Sequence, residues 1–169
     1  MTANDPNRFD LAPLRQAAEC PHAAAQALLQ WWQDQPRTGR WPDWARVTKP
    51  ELKPWMGWIV LYDVLDGGAD YRYRLVGSHI ADRSGLDLTG KLVSETSYTT
   101  RHSAFLAQLE RLQKGGEPVW INAVTTTARG FSAVHDRLCL PFANGGEELA
   151  LWMFYVCEDE LLVDRYHRG

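Results

Sequence analysis

The chain has 169 residues, 45% of them hydrophobic and 23% charged, with a formal net charge of −3. That length suits one compact domain with an appendage. No dense Lys/Arg face is visible, which argues against nucleic acid as a partner, and no apolar run is long enough to cross a bilayer, which argues against a membrane.

The opening, MTANDPNRFD, has neither the basic start nor the apolar core of a signal peptide. Cys20, Cys139 and Cys157 are widely spaced and odd in number, so reduced thiols in a cytoplasmic protein are expected. From Pro21 to about Gln35, Ala25, Leu28, Leu29 and Trp32 recur at helical spacing, with glutamines on the other side. Four prolines, Pro36, Pro42, Pro50 and Pro54, then break any long element. Trp41, Trp44 and Trp55 mark the stretch as a connection wrapped on an apolar surface, with one helical turn near Thr48–Glu51.

Trp58 to Val64 alternates as a half-buried strand, with Trp58, Val60, Tyr62 and Val64 on one face. Asp66-Gly67-Gly68 makes a turn, and Asp70–Val76 returns antiparallel, with Tyr71, Tyr73 and Leu75 pointing one way. Gly77 ends that strand. Ser78 is placed to cap a short helix over His79–Ser84, and Gly85 to close it in a left-handed conformation. A longer helix is expected from about Thr100 to Lys114, stopped by Gly115-Gly116. Strands follow over Val119–Thr127, Ala133–Phe142 and Leu149–Val156, with a hairpin at Asn144-Gly145-Gly146.

Two strands, then helices, then three strands predict an α+β fold: one five-stranded antiparallel sheet with helices crossing one face. The last strand is apolar on both faces, so the N-terminal helix or a second subunit must cover the other side. The expected divisions are residues 1–54 (helix and wrapped connection), 55–158 (the sheet domain) and 159–169 (a short tail).

Certain residues carry a family resemblance. They are Trp32, Arg37, Gly39-Arg40 and Pro42; Pro50, Leu52 and Trp55-Met56; Tyr71-Arg72-Tyr73-Arg74-Leu75-Val76-Gly77-Ser78; and Gly85 with Leu88-Thr89-Gly90. With this element order the chain resembles the PAS-like family common in alphaproteobacteria, formerly classed as a domain of unknown function. The match is strongest from about Trp31 to Lys91. The resemblance implies a PAS-like five-stranded sheet with crossing helices. It also implies a sensory or protein-docking module of bacterial signalling, often a homodimer, that works through a signalling-protein partner in trans. It carries no catalytic motif, and no enzyme is expected.

PAS-like sheets hold small molecules between the inner sheet face and the helices. Trp120 and Asn122 share a face of their strand, as do Asp136, Leu138 and Leu140 of the next. If the last hairpin closes tightly, Trp152 and Phe154 join that inner side. Tyr98 and His102 are placed to reach the same space from the helical side. The candidate ligand-binding set is therefore Tyr98, His102, Trp120, Asn122, Asp136 and Trp152. Which cofactor, if any, the sequence does not specify. His102 is the one histidine suited to a haem, no cysteine pair has zinc spacing, and neither Cys139 nor Cys157 sits where a flavin adduct needs a thiol. His135 and Asp136, adjacent on a strand, face opposite ways and cannot pair in catalysis. The alternative reading is a small-molecule carrier or an enzyme using the same cavity, with Asp136 as a base.

Overall fold

A computed structural model describes residues 13–96, 102–126 and 132–157. Six strands form one antiparallel sheet in the order β1-β4-β5-β6-β2-β3. They are β1 (Arg15–Gln16), β2 (Ile59–Leu65), β3 (Asp70–Val76), β4 (Val119–Thr126), β5 (Ser132–Phe142) and β6 (Leu151–Cys157). The five expected strands are all there, and the N-terminal pair meets the C-terminal trio where β2 pairs with β6. The two-residue β1, which lies in a stretch without periodicity, adds itself to the edge beside β4.

Helix α1 (Ala23–Gln33) covers one sheet face, while α2 (Ser78–Ser84) and α3 (His102–Gly115) lie on the other side. All seven residues of β6 are buried, so each face of that strand meets a core of its own. The α1 side holds Leu28, Trp31 and Trp32 against Leu61, Leu138, Leu140 and Met153. The α3 side holds Leu109 and Leu112 against Tyr62, Tyr71, Ile121, Trp152 and Phe154. Burying side chains of this size stabilises the fold by roughly 1.5–3 kcal/mol apiece. Of the two covers expected for the second face, α1 is the one in place.

The stripe that predicts α1 also explains its seating. Ala25, Leu28, Leu29 and Trp32 are buried together, and the helix begins at Ala23, two residues after Pro21. Its last carbonyls are closed by a cation: Arg37 donates to the Trp32 and Gln33 carbonyls at 2.9 and 3.1 Å, with its guanidinium over the Trp32 ring. The wrapped connection is tied down by its tryptophans. Trp55 Nε1 donates to the Ala24 carbonyl at 2.9 Å, and Trp41 Nε1 to the Gly116 carbonyl at 2.7 Å. Gly116 has φ 62° just past α3, where glycine alone is comfortable.

Three local expectations need correction. Between Leu61/Leu75 and Tyr62/Tyr73 the register shifts, leaving Arg74 as an extra residue on β3. That bulge puts Leu75 on the α1 side and Val76 on the α3 side with Tyr71 and Tyr73, so the three residues Tyr71, Tyr73 and Leu75 do not share a face. Ser78 is not the helix cap: Gly77 holds that position, and Ser78 is already helical. A Cβ on Gly77 would lie 2.4 Å from the Gly57 carbonyl oxygen, so glycine is required there for contact rather than for φ. The third correction concerns the parity of β6. Leu138 pairs with Tyr155 and Leu140 with Met153, so Trp152 and Phe154 face α3 and not the side of Leu138 and Leu140. A strand apolar on both faces gives no parity signal, and the hairpin sets it instead.

Candidate functional site

Two groups of polar side chains sit among the buried residues, one on each side of the sheet. On the α3 side, even-numbered residues of β2 and β6 and odd-numbered residues of β5 face the helices. Tyr62 lies at the centre, its ring 5.0 Å from that of Tyr73, 4.9 Å from Phe154 and 5.9 Å from Phe105 of α3. Complete burial, with the Tyr73 hydroxyl beside it, pushes the Tyr62 phenol far above its ordinary value. Tyr71 is raised to about 12 by burial and by the Glu110 carboxylate. The helix is joined to this floor by the Trp152 indole, which donates to Gln113 Oε1 at 3.0 Å, and by the Tyr71 hydroxyl, 3.4 Å from the Leu109 carbonyl.

Toward the α2 end of the same side the character changes. The Arg83 guanidinium of α2 lies 4.9 Å over the Trp58 ring, which stacks on His79 and, just ahead of β2, packs against the α1-side core rather than sharing the face of Val60, Tyr62 and Val64 as expected. Arg83 and Arg137 of β5 both act on His135. Burial, then Arg137 and Arg83, hold that imidazole down to about 4, so it is neutral at physiological pH. His135 and Arg137 thus lie on the α3 side of β5, and the charge of the exposed Arg83 reaches His135 from α2.

On the α1 side, His22 Nε2 and Asp136 Oδ2 are 2.7 Å apart, and Asn122 Nδ2 donates to Asp136 Oδ1 at 2.8 Å. Cys20 and Cys157 lie beside this triad, both buried. Gln26 of α1 reaches back to the carbonyls of Ala17, Ala18 and Cys20 and fixes the turn that presents the first thiol.

The six candidate residues are thus divided. Trp120, Asn122 and Asp136 belong to the α1 side. There Asn122 and Asp136 bond each other, the Arg15 guanidinium lies 5.0 Å over Trp120, and the buried Trp120 indole N–H has no partner among the described residues. Trp152 is on the α3 side. Tyr98 and the His102 side chain lie outside the described residues, although the backbone of His102 begins α3. Sequence reasoning missed Arg83, His135 and Arg137 on the helix side and Cys20 and His22 on the other. The odd positions of β5 carried the signal for His135 and Arg137, once the face opposite Leu138 is recognised as the one under α3. Among the described residues no group of three or more His, Cys, Asp or Glu could hold a metal ion, and no helix is long and apolar enough to cross a membrane.

An antiparallel sheet with short helices on one face and a separate N-terminal helix on the other is the architecture of a small sensor-type module. The chain belongs to the PAS domain family, whose model matches residues 20–152, from ahead of α1 through β5 to the first residues of β6. Similar solved structures include a cysteine-to-valine variant of the fungal photoreceptor Vivid, at 11% identity and a TM-score of 0.49, covering 78% of this chain and 93% of that one. A cysteine-to-serine mutant of Vivid is similar at 12% identity and a TM-score of 0.49, covering 79% and 98%. No curated protein matches the chain.

Proposed function

We propose that this chain is a sensory module of bacterial signal transduction. It acts as a homodimer, takes a small acidic molecule between the sheet and the α2–α3 layer, and hands the response to a signalling-protein partner in trans. The observation that carries the reading is β6. Its seven residues are buried on both faces and form the shared wall between the α3 core and the α1 core. A packed strand transmits displacement because a close-packed interior has little room to absorb it. A ligand that moves Phe154 or Trp152 on one side acts through the same strand on Met153 and Tyr155 on the other, against which α1 rests.

On this reading Trp152 belongs to the ligand side, as do Tyr98 and His102, whose places in the chain lead into α3. Trp120, Asn122 and Asp136 belong to the output side. An acid is favoured because the positive charges of Arg137 and Arg83 both act on the neutral His135. The test is native mass spectrometry of the purified protein, followed by thermal-shift titration with a panel of mono- and dicarboxylic acids against their amides. A retained acid, or an acid-selective rise in melting temperature that Arg137→Ala abolishes, is expected. Equal response to acids and amides, or no response to either, contradicts it.

A further inference from the structure

We propose that Cys20 and Cys157 are a peroxide-responsive thiol pair that closes to a disulfide and ties the entry of α1 to the end of β6. The inference is independent of the ligand reading, because it concerns the opposite face of the sheet.

The geometry begins with two chain ends brought together. Cys20 ends the turn Ala17–Glu19 that leads into α1, and Cys157 is the last residue of β6. Both belong to the α1-side core, where Cys157 pairs with Asp136 and Asp136 is bonded to His22, two residues beyond Cys20, so the two thiols are near enough to influence one another. Each is held from behind. The Cys20 carbonyl accepts a bond from Gln26 Nε2 at 2.7 Å, and two residues further on His22 is bonded to Asp136, the β5 residue that pairs with Cys157. The segment carrying Cys20 is therefore fixed to the two strands that carry its partner.

The two thiols are not equivalent. The neighbouring Cys157 thiol, which also lies 3.9 Å from the Tyr155 carbonyl, lowers the Cys20 pKa together with the His22 backbone N–H and the His22 ring, against the opposing effects of burial and Asp136. Cys157 is pushed up by the same contact and by burial. One sulfur is thus favoured as thiolate and nucleophile, and the other keeps its proton as the resolving thiol. Both thiols are buried, and the neighbouring His22 and Asp136 side chains are 16% and 17% exposed, so the oxidant the pair requires is one as small as hydrogen peroxide. Cys139 lies apart from this pair. It faces the α3 core, and burial pushes its thiol up, so it serves as an internal control.

The chemistry balances with a hydroperoxide as oxidant. The Cys20 thiolate, its proton released to solvent, attacks the terminal peroxide oxygen. The O–O bond breaks, and the alkoxide or hydroxide leaving group takes up a proton, giving Cys20 sulfenic acid. Cys157 Sγ then attacks the sulfenic sulfur, the S–O bond breaks, and hydroxide leaves with the Cys157 proton as water. Overall, two thiols and one hydroperoxide give one disulfide, one alcohol (or water) and one water.

The test treats the full chain with hydrogen peroxide and reads intact mass and alkylated peptides. The expected result is a mass lower by about 2 Da, reversed by dithiothreitol, with the Cys20 and Cys157 peptides joined and Cys139 still alkylatable. Cys157→Ser should instead accumulate a dimedone-reactive sulfenic acid at Cys20. Closing the pair should raise the melting temperature by about 5–10 °C, which Cys139→Ser leaves intact. The proposal is overturned if Cys20 and Cys157 stay fully alkylatable at peroxide doses that oxidise a free cysteine. It is equally overturned if Cys139 oxidises first, or if Cys157→Ser, folded by circular dichroism, gives no sulfenic acid.

Discussion

The two faces of the sheet are built from similar residues and held in different ways. On the α1 face the cover is fastened by directional bonds from its own side chains. Trp32 Nε1 donates to the Pro141 carbonyl at 2.8 Å, Trp31 Nε1 to Glu51 at 2.9 Å, and His22 reaches Asp136 at 2.7 Å. On the α3 face the Trp152 indole bond at 3.0 Å and the Tyr71 phenol contact at 3.4 Å join the helix to a floor of aromatic rings. Non-directional packing allows a helix to shift and refill the space, whereas a set of saturated hydrogen bonds fixes one position. The lesson is that the α1 cover is held by several directional bonds from its own side chains, while the α3 cover rests chiefly on an aromatic floor, a difference that the proposed ligand reading under α3 would use.

Breaking the fastened face should have the largest effect. Trp32→Ala removes a buried indole and orphans the Pro141 carbonyl, and should cost about 3–5 kcal/mol in urea unfolding. Gly77→Ala strikes the junction of β3 and α2, where the new methyl meets the Gly57 carbonyl. A loss of about 1–3 kcal/mol is expected, with faster amide exchange confined to α2 and the Met56–Trp58 turn. Asp136→Asn tests the His22–Asp136–Asn122 triad by removing its charge while keeping its shape; a loss of about 1–2 kcal/mol is expected, with melting of the Ala17–Glu19 turn seen by exchange. Trp152→Phe should cost only about 1 kcal/mol, since the ring area is largely kept, but it should loosen α3 around Gln113.

The mildest probe is pH. His135 is held near 4 in the folded chain, below the ordinary value of about 6.5, so the unfolded chain binds the extra proton between those values. Stability is complete above about pH 6.5 and falls as pH drops toward 4. His135→Gln should flatten that part of the profile, measured as melting temperature against pH.

Much of this contrast was legible before any coordinates. The alternation of β2 and β3, the stripe of α1 and the doubly apolar β6 predict a single sheet covered on both sides. What stayed hidden follows from the same physics. The extra residue at Arg74 flips Leu75 with no trace in composition. A strand apolar on both faces conceals which residues look at which helix, and so Trp152 was grouped with Asp136. His22 and Cys20 lie in a short segment without periodicity, and only the sheet's return brings them to Asp136 and Cys157.

The most direct measurement of the central claim is hydrogen–deuterium exchange of the ligand-free protein, comparing α1 with α3. The account predicts that amides of residues 102–115 exchange well before those of residues 23–33, while β6 is protected longest. Equal protection of the two helices, or earlier opening of α1, would contradict the division of the sheet into an adjustable face and a fastened one.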